Sequence, residues 1–227
     1  MHRRLVPAAA LGGVLLLSSS AGAAPRSCQL VKDPRGDMHP VAPVGSDNDL
    51  DILSADLATD KTYVTAVVRT VSMRGATSPD SPTGRAWEVW FTAGEETFIM
   101  AAHALANGYD GIVYHVDGEY EAGPEAGAYT GTGIGPARVT FDTVRREVRI
   151  TAPLRHFTPF ASIVRGRILH NLRAGAFKMV GNGPVSQSTP LGYGTWIGSG
   201  GVGTSQDLAF SKRTYDPGTP SCVAVGK

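Results

Sequence analysis

Apolar and polar residues alternate with a period of two along most of this chain. The alternation breaks at clusters of glycine, proline and aspartate, which predicts short strands joined by tight turns. Leu53, Ala55 and Leu57 share one face, and Ser54 and Asp56 the other. Residues 58–61 form a polar turn. Residues 63–71 then make a strand rich in β-branched side chains, which fit a pleated surface. In the next strand, residues 86–92, Trp87, Val89 and Phe91 alternate with Glu88, Trp90 and Thr92. A turn at 93–96 leads into residues 97–103 and completes a hairpin. Asp117-Gly118, between 112–116 and 119–121, is the strongest short hairpin signal in the chain. Residues 137–141 and 147–152 predict another hairpin.

The remainder is less regular. Residues 73–85 and 122–136 predict loops, and 154–164 a short helical turn. Residues 167–172 and 175–180 predict two late strands. From 181 onward the chain predicts loop, with a last strand at 208–211. The 28 glycines and 15 prolines exceed the roughly 12% of average proteins, which favours turns over helices. No sustained 3.6-residue pattern, fixed-length repeat or linker interrupts residues 25–227. The expected fold is all-β: one antiparallel β-sandwich domain, jelly-roll-like.

Residues 1–24 predict a secretory signal peptide. Arg3 and Arg4 precede an apolar run over 5–17, and cleavage is expected near Ala23-Ala24. That run falls short of the ~20 residues needed to span a bilayer, so the expectation is a secreted, extracellular protein with no transmembrane segment. Losing both arginines moves the formal charge from +1 to about −1. A near-neutral net charge gives no electrostatic reason to bind nucleic acid or an anionic membrane. Cys28 and Cys222 are the two cysteines, one near each mature end, and in an oxidising compartment they are expected to pair.

The opening of the mature chain resembles a group of secreted bacterial β-sandwich domains related in shape to the DOMON and family-9 carbohydrate-binding modules. The resemblance rests on Asp33-Pro34-Arg35-Gly36-Asp37, on Asp51-Ile52-Leu53-Ser54-Ala55-Asp56, on Asp60-Lys61-Thr62-Tyr63, and on Trp87-Glu88-Val89-Trp90-Phe91. It implies a jelly-roll-like fold and a structural calcium ion.

Two groups of residues are candidate binding sites. Asp33, Asp37, Asp47, Asp49 and Asp51 crowd into one short segment, and calcium takes six to eight hard oxygen ligands of that kind. Residues 47–51 imitate the start of an EF-hand loop. The match fails at Ile52, where glycine is required, and at Ala58, where glutamate is required. Either a calcium site of another type ties this loop to the first strand, or the aspartates cap turns and face water. In the second group, Trp90 points away from the core if Trp87 points into it. With Tyr114 or Tyr120 nearby it either offers a flat face to a sugar ring or lies under a covering loop.

Catalytic signatures are lacking. No H-E-x-x-H and no G-x-S-x-G occurs, and Gly131-Thr132-Gly133-Ile134-Gly135 precedes a proline and a strand rather than a helix. His39, His103, His115, His156 and His170 are not spaced as zinc pairs. The expected function is that of a non-catalytic binding or accessory module, carbohydrate-binding and calcium-stabilised, with an extracellular or cell-envelope glycan or protein as partner. The alternative is a structural or protein-interaction domain of the envelope. A hydrolase using a Ser/His/Asp set on loops ranks last.

Overall fold

The computed structural model describes residues 28–38, 47–75, 84–105, 108–116, 131–179, 195–198 and 201–226. The twelve strands are β1 (Val31–Lys32), β2 (Ile52–Thr59), β3 (Tyr63–Thr70), β4 (Arg85–Ala93), β5 (Glu96–Leu105), β6 (Gly108–Val116), β7 (Gly131–Pro136), β8 (Arg138–Asp142), β9 (Glu147–Pro153), β10 (Leu169–Met179), β11 (Thr195–Gly198) and β12 (Gly201–Phe210). They form two antiparallel sheets, ordered β1-β2-β3-β9-β8 and β11-β12-β10-β4-β5-β6-β7. The protein is an all-β sandwich. No helix among the described residues is long and apolar enough to cross a membrane.

Side-chain alternation sorts the strands onto faces. Trp87, Val89 and Phe91 of β4 and Phe98 and Met100 of β5 point between the sheets. There they meet Leu57, Val64, Val68, Val148 and Ile150 of the five-stranded sheet. Burying each large apolar side chain stabilises the fold by about 1.5–3 kcal/mol. The alternate residues Ala86, Trp90, Ile99, Ala101, Tyr114 and Phe177 form a second cluster on the outer face of the seven-stranded sheet. Both faces of β4 are therefore covered, and all nine of its residues are buried.

The first and last described segments are joined. Cys28 and Cys222 form a disulfide, with Cα atoms 5.3 Å apart. The C-terminal segment runs across the outer face of the five-stranded sheet. Val223 packs on Ala58 and Val67, Ser221 Oγ donates to Leu57 O at 3.0 Å, and Arg149 Nη1 donates to Ala224 O at 2.7 Å. Buried Tyr215 anchors the segment, its hydroxyl accepting from Thr59 N at 3.1 Å. Tyr215→Phe leaves that amide without its partner. Its expected cost is about 1–2 kcal/mol, read as a small loss of urea midpoint at unchanged m-value.

Three elements depart from expectation. Residues 131–136 form β7 rather than loop, because their glycines serve close approach instead of turning the chain. A Cβ on Gly135 would lie 2.5 Å from the His156 ring. The late strands are one continuous β10. Register shifts between His170 and Arg173 and between Ala176 and Phe177 interrupt its period-two signal. Asn171 takes the positive φ of 51° at the first shift, a conformation asparagine tolerates. Finally, β11 and most of β12 lie where loop was expected. The expected hairpins form as β4–β5 and β8–β9, with Phe91 opposite Phe98 and Phe141 opposite Val148. The partner strand expected after Asp117-Gly118 lies outside the described residues; β6 pairs with β7.

Candidate functional site

The five clustered aspartates separate into two groups with opposite electrostatics. Asp33 and Asp37 lie on the turn after β1, and Asp51 directly precedes β2. Gly36, at φ 81°, allows that turn to fold back. Its N–H then donates to both Asp51 oxygens, at 3.2 and 2.9 Å. Asp207 arrives from β12, the far end of the chain, and its Oδ2 accepts from Ile52 N at 2.6 Å. One ligand oxygen each from Asp33, Asp37 and Asp207 lies within 4.8 Å of the others.

The charges at this junction are frustrated. Burial, then the neighbouring Asp207, Asp37 and Asp51, push the Asp33 carboxyl up to about 8. Burial, with the charges of Asp37 and Asp51, raises Asp207 to about 6, against the hydrogen bonds it accepts from Ile52 N and from the Asp33 carboxyl. Burial also raises Asp51, with Asp37 adding to it. Asp33 Oδ2 is buried and has no hydrogen-bond partner. Burying that much carboxylate charge is costly; a proton held between Asp33 and Asp207 relieves it, and a cation bound among these oxygens would do the same.

Asp47 and Asp49 are neutralised elsewhere. Arg85 Nε lies 2.7 Å from Asp47 Oδ2, and Arg85 Nη1 lies 3.0 Å from Asp49 Oδ2. Arg74 reaches the same pair at 2.6 and 3.1 Å, and Lys178 Nζ stands 3.7 Å from Asp47. Burial pushes the Asp47 carboxyl up, but Arg85 and then Arg74 more than offset this and hold it below the usual carboxylate range. Trp87 Nε1 donates to Asp49 O at 2.9 Å, fixing the segment to β4. These two aspartates are engaged by arginine and do not converge on the Asp33 junction.

The aromatic candidates share a face but not a solvent platform. Trp90 is 8% exposed and Tyr114 4%, both within the outer-face cluster. Trp90 Nε1 donates to Glu88 Oε2 at 2.7 Å, and the Arg173 guanidinium lies 5.9 Å from its ring. Tyr120 lies outside the described residues. Two histidines have carboxylate partners: His103 Nδ1 is 2.7 Å from Asp110 Oδ1, and His115 Nε2 is 2.5 Å from Glu96 Oε2. The bond to His103 holds the Asp110 carboxyl below its ordinary range.

Sequence reasoning missed Asp207, Arg74, Arg85 and Lys178. Each is a single charged residue far from the aspartates in the chain, and only the sheet order brings it near. No protein-family model, no curated protein and no solved structure matches this chain.

Proposed function

We propose that this chain is an exported, non-catalytic β-sandwich, a binding or accessory module whose N-terminal segment is clamped to the sandwich by calcium. The clamp reading rests on one observation: Asp33, Asp37 and Asp207 offer oxygens within 4.8 Å of one another although they come from opposite ends of the chain. Those three would hold the ion, with Asp51 keeping the Gly36 turn in place. Calcium accepts carboxylates from irregular loops together with water, and bound there it supplies charge neutralisation rather than chemistry.

The test is a thermal melt in calcium and in chelator. At a concentration about a hundredfold above Kd the ion contributes about 2.7 kcal/mol. For a domain of this size that is about 5–10 °C in Tm. Superimposable curves would remove the clamp.

Burial of Trp90 and Tyr114 supports the structural or protein-interaction reading over glycan stacking at those rings, because stacking needs an open ring face. Trp90→Ala is therefore expected to lower Tm by several degrees, as removal of a buried aromatic does. Loss of a glycan-array signal at unchanged Tm would reverse that preference.

A further inference from the structure

Residues 154–168, between β9 and β10, contain no acidic side chain. Arg155, Arg165 and Arg167 are exposed there, and among the described residues none of their guanidinium groups is hydrogen-bonded or ion-paired. Phe160, Val164 and Ile168 lie in the same loop, exposed by 41%, 50% and 46%. They make up three of the seven large apolar side chains exposed among the described residues, which is a concentration rather than scatter.

The loop is a built frame. Phe157 and Ile163 are buried in the core between the sheets. Phe160 N and Ala161 N both donate to Phe157 O at 3.0 Å, and Arg167 N donates to Val164 O at 3.0 Å. Gly166 N donates to Asp216 Oδ1 at 2.7 Å. The Phe160 ring stacks on His115 at 4.2 Å between centroids. Phe160, Arg167 and Ile168 border one open cleft of about 530 Å³, so they belong to a single surface. Glu95 of the β4–β5 turn and Glu96 at the start of β5 border the cleft, and Asp216 is bonded to the loop at Gly166. Glu96 is engaged by His115 and Asp216 by Gly166, while the loop's three arginines are not engaged.

We propose that loop 154–168 docks this protein on the surface of an anionic phospholipid bilayer. Phe160, Val164 and Ile168 enter the boundary between headgroups and acyl chains, and Arg155, Arg165 and Arg167 face the lipid phosphates. Charge complementarity selects this occupant. Unpaired arginines interleaved with aliphatic and aromatic tips match a surface that is anionic outside and apolar just beneath. The near-neutral net charge does not oppose docking, because screening confines attraction to charges within about a Debye length, ~10 Å. The proposal extends beyond the calcium clamp and is independent of it.

The test is co-sedimentation of the chain, freed of residues 1–24, with vesicles in chelator. Phosphatidylcholine vesicles containing phosphatidylglycerol are compared with pure phosphatidylcholine. Binding is expected to be about tenfold stronger on the anionic vesicles and to weaken with salt. Val164→Asp with Ile168→Asp is expected to abolish it at unchanged Tm, since both side chains are exposed. Arg165→Gln with Arg167→Gln is expected to weaken it and flatten its salt dependence. Equal binding to both vesicle types, or binding indifferent to these variants, overturns the proposal. A dimer in lipid-free sedimentation analysis that Val164→Asp with Ile168→Asp dissolves would assign the surface to a second copy and also overturn it.

Discussion

Replacing Arg85 with methionine is expected to cost about 3–5 kcal/mol, because it strands buried carboxylates without their main counter-charge. For a domain of this size the loss amounts to about 10 °C in Tm. Arg85 is fully buried at the start of β4 and bridges Asp47 and Asp49, themselves buried. Arg74 is about half exposed and Lys178 stands farther off, so neither can take over the pair. Asp49→Asn is expected to cost somewhat less, since the amide keeps the side chain's bulk and part of its hydrogen bonding. The pH dependence has a definite sign. The Asp47 carboxyl is held below its unfolded value of 3.8. Its contribution is therefore present above that pH and lost as the pH falls through the lower folded value. Arg85→Met should flatten this acid limb as well as lower the midpoint, with or without calcium. Thermal melts at several acidic pH values check both, and a change of only a degree or two would show that the network does not hold the segment.

Strand faces were legible because alternation is local. That Trp87 and Trp90 take opposite faces follows from the pleat alone, and the structure puts Trp87 between the sheets and Trp90 on the outer face. What covers the outer face was not legible, since covering depends on segments remote in sequence. The same limit applies to the aspartates. Their spacing announces a cluster, yet it cannot say that Asp47 and Asp49 meet Arg85 while Asp33 and Asp37 meet Asp207. That division follows from the order of strands in the sheets, with β12 placed beside β10 and Asp207 within reach of Ile52 N. β10 was misread for a physical reason as well, because its two bulges reset the period that marks a strand.

The calcium response itself is expected to grow with pH, from small near pH 5 to about 4–8 °C near pH 8.5. Asp33 is pushed up to about 8 and Asp207 to about 6, both from 3.8. Without a cation the folded protein therefore holds protons that the unfolded chain releases between these values. The stability tied to them is complete below about pH 4 and is lost as the pH rises through about 6 and then about 8. The two carboxyls are neighbours and titrate as a pair, so their contributions do not add as independent terms. Calcium at the proposed site would compete with those protons for the same oxygens. At pH 5 it must displace them; at pH 8.5 the carboxylates are already charged and the ion meets a site that repels itself. Asp207→Asn should act in two directions at once. It removes one repelling charge, so the chelated form gains stability at alkaline pH, and it removes a ligand, so the calcium response disappears. A stabilised apo variant that ignores calcium is hard to obtain by merely damaging the fold. If melts in chelator show no decline between pH 5 and 8.5 and the calcium shift is equal at both, the carboxylates at this junction are not the coupled, cation-seeking group their geometry describes.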